Sequence, residues 1–363
     1  MIRKPSVVIA GAGPAGLVAA NMLCRDGFDV TVLEADTSPA SRDQGGMLDL
    51  HVPEGQLALR KAGLLEAFMA VARHDDQGQR VVHALTGEIL EEDIPATGTG
   101  TRPEIDRLAL RELLLRPLPD GVVQWGARVA GIAATDDGRW TVHRQDGQRH
   151  VCDLVIGADG AGSAVRAALT DARPVYTGVT FVELWIPDVD RQHPEIAALV
   201  GRGTLFSLHE GKGLFAQRNG NAFVRVYAAF RTDLDDTDRP EKVLAGIDKQ
   251  DLLSRYRGWS PTLLSLIVQA ERVAAVRPIV SLPAGTQWRP SAGLTLIGDA
   301  AHVMPPMGSG VNLAMLDAAE LAEALAGQSD WQAALAAQEQ TMLARAATNA
   351  AQCLTAFDEW FRS

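Results

Sequence analysis

Ser6-Val7-Val8-Ile9-Ala10-Gly11-Ala12-Gly13-Pro14-Ala15-Gly16 decides the fold, together with Val30-Thr31-Val32-Leu33-Glu34 downstream. Ser6 to Ala10 reads as a short buried strand, and Leu17 to Asp26 as a helix with small residues on one side. Val30 to Leu33 reads as a second strand. This is the βαβ opening of a doubly wound α/β fold. A dinucleotide pyrophosphate needs backbone N–H groups at close range and the positive end of a helix. Gly11 permits the tight turn and Gly13 lets the backbone approach phosphate. Gly16, next to Ala15, lets helix and strand pack closely. Glu34 ends the second strand, where a carboxylate accepts from ribose hydroxyls. The motif by itself does not separate FAD from NAD.

The bulk numbers agree with a soluble two-domain protein. At 363 residues, a prior of about 150 residues per domain gives roughly two domains. Hydrophobic residues make up 47% and charged residues 22%, which is ordinary globular usage. A net charge of -11 argues against a nucleic-acid partner, since phosphate binding needs clustered Lys and Arg. Cys24, Cys152 and Cys353 are isolated. They fit neither a disulfide framework nor a metal site, and suit a reducing compartment. Two basic residues, Arg3 and Lys4, precede an apolar run, but the glycine pattern explains that run better than a signal peptide does. No continuous run of about 18 apolar residues is present, so no membrane partner is expected. The expected localisation is cytoplasmic.

Outward from the opening, Val52 to Ala72 reads as helix, Glu91 to Pro103 as loop and Ile105 to Arg116 as helix. Asp153 to Ile156 is another buried strand. Between Val175 and Phe230 the texture becomes β, with alternating stretches separated by Gly and Asn turns. Pro240 to Trp259 reads as helix. Leu294 to Ile297 is strand, Asn312 to Ala326 an Ala/Leu-rich helix, and Trp331 to Trp360 one long helix. The expected organisation is a Rossmann-like nucleotide domain over 1–172 and 277–330. A substrate domain over 173–276 is inserted in it, and a C-terminal helix over 331–363 bridges the two.

Two further motifs carry chemistry. Gly298-Asp299-Ala300-Ala301-His302 directly follows a strand. Pro305-Pro306-Met307-Gly308-Ser309-Gly310-Val311-Asn312 then opens a helix. Asp299 suits a ribityl hydroxyl, and the helix N-terminus suits a ring on which negative charge develops. Val155-Ile156-Gly157-Ala158-Asp159-Gly160-Ala161-Gly162-Ser163 is a strand followed by a glycine-rich turn. It reads equally as a plain strand-turn-helix with Ser163 near a helix start.

The first and second motifs together resemble the class A FAD-dependent monooxygenases, the p-hydroxybenzoate hydroxylase family. The resemblance spans nearly the whole chain. It implies FAD as a tightly bound, non-covalent cofactor, with NADPH or NADH as co-substrate. It gives Gly11, Gly13, Ala15, Gly16, Glu34, Gly298, Asp299, Pro306, Gly310, Val311 and Asn312 to FAD, and Asp159 to contacts with FAD and NAD(P)H. Gly45-Gly46-Met47-Leu48-Asp49-Leu50-His51 and Pro103-Glu104-Ile105-Asp106-Arg107 are similar to the tetracycline-inactivating subgroup, where the positions of Asp49 and Arg107 also contact FAD. For Arg107 a surface charge on an ordinary core helix is the plainer alternative. In the substrate domain His209-Glu210-Gly211 matches a substrate-contacting His-x-Gly of that subgroup. Glu183 falls where the subgroup has a substrate-contacting Gln. Ala35 replaces the Arg that follows the strand-ending Glu there, and the loop from Pro306 to Asn312 is one residue shorter.

The function so implied is hydroxylation of a small, electron-rich organic substrate, aromatic, polyketide or tetracycline-like, through a flavin C4a-hydroperoxide. The cofactor carries that chemistry, so no catalytic side chain and no metal are expected. His302 reads as support for the loop beside the flavin. The partners are then the substrate and O2, in a monomer or small homo-oligomer. The alternatives are a flavin-dependent reductase or dehydrogenase that inserts no oxygen, and a non-catalytic flavin-binding protein. Trp185-Ile186-Pro187 is similar to the end of a halogenase motif, but Glu183 occupies its first Trp position.

Overall fold

A computed structural model describes residues 4–41, 45–232, 242, 244 and 246–362. Five parallel strands form the first sheet, in the spatial order Leu294–Leu296, Leu154–Gly157, Ser6–Ala10, Asp29–Leu33 and Val123–Gln124. Its middle strands are nearly continuous apolar runs because both faces are covered. Helix Pro14–Arg25 lies on one face, with Leu17, Val18, Ala19 and Ala20 fully buried. Pro14 at its first turn supplies the helical φ. The helix ends at Asp26, before Gly27, whose φ of 77° lets the chain turn into the second strand.

A second, seven-stranded sheet stands against this unit. Its order is Arg272–Ser281, Val175–Ile186, Phe223–Arg231, Lys212–Asn219, Gly203–His209, Gly78–Val82 and Ile89–Asp93. The sheet therefore reaches beyond the expected 173–276. It runs on to Ser281 and recruits two strands from residues 78–93, part of which read as loop in the sequence. The strand Ile89–Asp93 is exposed at every position, so it carried no burial pattern to read. The span 52–72 is two helices, Gly55–Ala62 and Leu65–Val71, split at Gly63 with φ 76°. Of the helix expected over 240–259, Lys249–Arg255 is observed, and Pro240, Glu241, Val243 and Ala245 lie outside the described residues.

Side chains of the large sheet alternate between two faces. Val182, Leu184, Leu205, Leu214, Val224 and Val226 pack under helices that bring Leu252, Tyr256, Leu263 and Leu266. The opposite face carries Phe181, Phe206, Phe215 and Tyr227. The end of helix Trp331–Trp360 lies on it through Phe357, Trp360 and Phe361. Further back, Glu339 of the same helix accepts from Trp288 Nε1 at 2.5 Å and from Thr295 at 3.0 Å, which ties the helix to the parallel-sheet unit. No helix among the described residues is long and apolar enough to cross a membrane.

Candidate functional site

Gly11 has φ 101° and donates its N–H to Leu33 O at 2.8 Å. A Cβ there would lie 2.4 Å from Ala158 O, and one on Gly16 would lie 2.1 Å from Gly11 O. Only glycine fits either place. A Cβ on Gly13 would meet nothing within 4 Å, so that glycine faces open space at the uncapped N-terminus of helix Pro14–Arg25. Beside it runs a groove of about 390 Å³ lined by Gly11, Gly13, Glu34, Arg128, Asp159 and Gly162, among others. Free N–H groups, a helix end and an open groove fit a pyrophosphate.

Glu34 is buried at the groove's edge. One oxygen accepts from Ala12 N at 2.6 Å and the other from Asp36 N at 2.8 Å. Each retains a lone pair for a ribose hydroxyl. Arg111 lies 3.6 Å from Glu34 and 2.9 Å from Asp36, and fixes the end of the second strand. Asp159 takes the N–H groups of Ala164 (2.8 Å) and Val165 (3.4 Å) on one oxygen. Its other oxygen is buried without a hydrogen-bond partner among the described residues, as expected of a group that awaits a ligand donor.

The glycine-rich loop after Leu154–Gly157 and the Gly298-Asp299 motif meet through Arg166, which follows that loop in the sequence. Arg166 is buried and donates to Ala161 O and, at 3.2 Å, to Ala300 O. Asp299 is exposed in a setting of buried neighbours, free to meet a ligand. His302 behind it is buried and lies 2.5 Å from Asp317, which also takes Arg345 at 2.9 Å. Burial opposes the charged form of His302, but Asp317 and nearby Asp299 overcome it and raise His302 above its usual value. The structural role expected for His302 matches this geometry.

Gly308 and Gly310 face open space, and helix Gly310–Gly327 starts there with no side-chain cap. Pro306 is exposed and Val311 half-buried. Asn312 requires a correction. It is 0% exposed, and its side chain accepts from His51 N at 2.8 Å and donates to Asp49 O at 2.9 Å. It clips the helix to the strand Met47–Asp49 and has no surface left for a cofactor. Asp49 itself is half-buried and bonds His51 at 3.0 Å.

Arg107 starts helix Arg107–Leu115 beside Gly45 and donates its N–H to Gly46 O. Arg107 is exposed, with its side chain against Gly45. Burial lowers its pKa; Tyr227 and Asp299 oppose that effect, while Arg277 and Arg225 add to it. Arg107 is thus coupled to the Asp299 motif and to the large sheet at once. Gly46 closes the approach between them, since a Cβ there would lie 2.8 Å from Gln217 Oε1 and 2.9 Å from the Tyr227 hydroxyl.

The three expected substrate contacts, Glu183, His209 and Gly211, lie on the large sheet and its hairpin turn. Glu183 does sit on the cleft-facing side of the sheet, but it is 1% exposed. It is enclosed by Arg225, by Arg277 at 2.6 Å and by Trp185 Nε1 at 2.8 Å. It holds the two arginines in place. His209 points to the opposite, helix-covered face, with its ring 6.5 Å from that of Trp259. Strand parity places it there: Phe206 and Leu208 face the cleft, so His209 cannot. Gly211 (φ 68°) and Glu210 (φ 46°) form the tight hairpin turn that follows. The groups that the strands do aim at the cleft, Arg225, Tyr227 and Arg277, were legible as polar residues alternating with Val224, Val226 and Val276.

A profile described as FAD binding domain matches residues 4–336. The chain belongs to this FAD-binding family. Monooxygenase penA of Penicillium thymicola is 31% identical over 374 residues, which covers 88% of this chain and 84% of that one. On this footing the chain is a flavin-dependent monooxygenase with FAD as its cofactor and NAD(P)H as its co-substrate. Two solved structures share the fold. HpxO of Klebsiella pneumoniae, solved with FAD and uric acid, superposes with a TM-score of 0.80 at 22% identity, over 98% of this chain and 89% of that one. The tetracycline destructase Tet(55) gives 0.77 at 21% identity, over 99% and 90%. The folds of both agree with the α/β architecture expected from the opening motif.

Proposed function

We propose that this flavoenzyme hydroxylates a small, electron-rich aromatic or enolic substrate in the cleft between the glycine-rich loops and the seven-stranded sheet. The observation that carries the reading is the packing of Gly45 and Gly46: Gly45 lies against Arg107, and Gly46 against Gln217, Tyr227 and Arg225 of the large sheet. In this reading residues 1–172 and 277–330 hold the cofactor, the sheet centred on 173–276 holds the substrate, and the helix within 331–363 joins them. Gly11, Gly13, Ala15 and Gly16 form the pyrophosphate cradle, Glu34 takes the ribose, and Asp49, Arg107, Asp159, Gly298, Asp299, Pro306, Gly310 and Val311 border the rest of the cofactor.

Bound FAD supplies the redox chemistry, accepting reducing equivalents from NAD(P)H and activating O2. The chain binds, orients and shields. Arg107 would offer a fixed positive charge to the bound cofactor, and the N-terminus of helix Gly310–Gly327 would add a partial one. Phe181, Phe206 and Phe215, capped by Phe357 and Trp360, keep water from one end of the cleft. A cytoplasmic monomer or small homo-oligomer is the setting we assign.

The test is NAD(P)H oxidation and O2 uptake by the purified, FAD-loaded protein over a panel of phenols, polyketides and tetracyclines, followed by mass spectrometry. Substrate-dependent gain of one oxygen atom supports the reading. Reduction of a panel member without oxygen insertion, across the whole panel, replaces it with a reductase.

A further inference from the structure

The imidazole of His51 has a carboxylate at each nitrogen. Nε2 lies 3.0 Å from Asp49 Oδ2, and Nδ1 lies 3.5 Å from Glu54 Oε2. Ionised carboxylates only accept, so a ring that serves both must carry a proton on both nitrogens. The surroundings favour that imidazolium. The hydrogen bond to Asp49 lifts His51 above the usual histidine range, and the charges of Asp49 and Glu54 add to it, while burial and Arg102 oppose it. The ring is 26% exposed, so water reaches it.

The group is fixed from two sides. Asn312 accepts from His51 N at 2.8 Å and donates to Asp49 O at 2.9 Å. Asp49 stands directly opposite Glu104 on the neighbouring strand, and opposed residues of a strand pair share a face. Glu104 is buried, and one of its oxygens has no hydrogen-bond partner among the described residues. Burial and then Asp49 favour its neutral form, with Asp76 adding and Arg73 and Arg102 opposing. A neutral Glu104 leaves Asp49 as the charged acceptor on this face.

Oxidation of NAD(P)H by O2 takes up one proton whichever way it ends. With oxygen insertion, NAD(P)H, a proton, O2 and a substrate C–H give NAD(P)+, C–OH and water. Without it, NAD(P)H, a proton and O2 give NAD(P)+ and hydrogen peroxide. That proton has to enter a site from which bulk water is kept.

We propose that Asp49, His51 and Glu54 form the path by which this proton enters the cofactor site. The proposal rests on the reading that Asp49 borders the cofactor. The N–H bond at His51 Nε2 breaks, an O–H bond forms at Asp49 Oδ2, and Asp49 passes the proton inward. Water at the ring then returns a proton to Nε2. Glu54 keeps the other proton on Nδ1, and so holds the tautomer that can be recharged at Nε2. Asp49 is the group that meets the cofactor; His51 and Glu54 are positioning residues that act through it.

The experiment uses the FAD-loaded protein, reduced with dithionite and mixed with oxygenated buffer. The return of oxidised-flavin absorbance reads a step that takes up one proton and needs no substrate. The wild-type rate is expected to fall as pH rises through the titration of His51, because the imidazolium is the donor. His51→Ala should be slower by about a hundredfold at about pH 8, the low end for loss of a positioned proton donor. It should also lose that pH dependence and regain rate when imidazole is added. His51→Gln, which fills the space but cannot titrate, should be slow as well and guards against a folding defect. Nuclear magnetic resonance of the histidine rings should show the His51 titration moved to lower pH in Glu54→Gln. A His51→Ala rate equal to the wild type, no recovery with imidazole, or an unmoved titration in Glu54→Gln overturns the proposal. Asp49→Asn tests the parent reading separately. An unchanged flavin spectrum and rate in Asp49→Asn would take Asp49 away from the cofactor. An altered flavin spectrum there, beside a normal His51→Ala rate, overturns the proton path alone.

Discussion

At the scale of single residues, Asp299 and Arg107 are exposed, whereas Asn312 and Glu183 are buried in contacts within the chain. The four share one chemical vocabulary in the sequence, and nothing in their spacing distinguishes them. Asp299→Ala is therefore expected to weaken FAD retention about tenfold or more, the loss of one charge-assisted hydrogen bond, in a chain that still folds. The check is the flavin-to-protein absorbance ratio after gel filtration, read against circular dichroism. A folded variant with normal flavin content would remove Asp299 from the site. Glu104 poses a different case. It is buried beside Asp49, one of its oxygens has no partner, and burial first, then Asp49, pushes it well above the usual carboxylate range despite Arg73 and Arg102. A raised carboxyl favours the protonated folded state, so its stabilising effect is complete below the unfolded value and is lost as pH climbs through the folded one. Glu104→Gln should flatten the decline in thermal stability of the loaded enzyme from about pH 5 upward. A variant whose melting profile parallels the wild type would show that Glu104 titrates normally.

At the scale of elements, the sequence was most legible where physics leaves few choices. Gly11 and Gly16 sit where any Cβ would strike backbone within 2.4 Å, and such places announce themselves as glycines. The C-terminal helix was legible end to end because Ala, Leu and Gln favour helix and no breaker interrupts Trp331 to Trp360. Strand Ile89–Asp93 was not, because an edge strand with both faces in water has no alternation. The side on which His209 falls depends on strand parity, which a one-residue uncertainty in register reverses. Asn312 shows how two elements are locked. Its side chain bridges helix Gly310–Gly327 to strand Met47–Asp49 through partners more than 250 positions away in the chain. Asn312→Ala would remove the partner of the part-buried His51 N–H and Asp49 carbonyl. About 1–3 kcal/mol of stability should be lost, since water reaches part of both groups. Denaturant unfolding at fixed FAD concentration checks this, and a loss below about 0.5 kcal/mol would mean that water replaces the amide.

At the scale of the whole molecule, the two sheets have separate cores, and the C-terminal helix is one of the pieces that touch both. Its Glu339 end binds Trp288 and Thr295 beside the parallel sheet, and its Phe357 and Phe361 end fills the aromatic cluster on the large sheet. Arg345 lies between them and reaches Asp317, the partner of His302 behind the flavin loop. Displacing the helix end should therefore act on the chemistry as well as on stability. Phe357 is 1% exposed and stacks with Phe181, the two rings 6.3 Å apart. Phe357→Ala should cost about 3–5 kcal/mol, the usual range for a buried aromatic, and open one end of the cleft to water. An opened cleft loses its shielding before it loses its cofactor. The expected signature is near-normal FAD content, with a rise in hydrogen peroxide per NAD(P)H consumed and a fall in oxygenated product. Peroxide yield and product yield, measured in the same reaction at a temperature where the variant remains folded, decide the matter. Unchanged coupling in a destabilised variant would assign the aromatic cluster to folding alone and move the water barrier to another wall of the cleft.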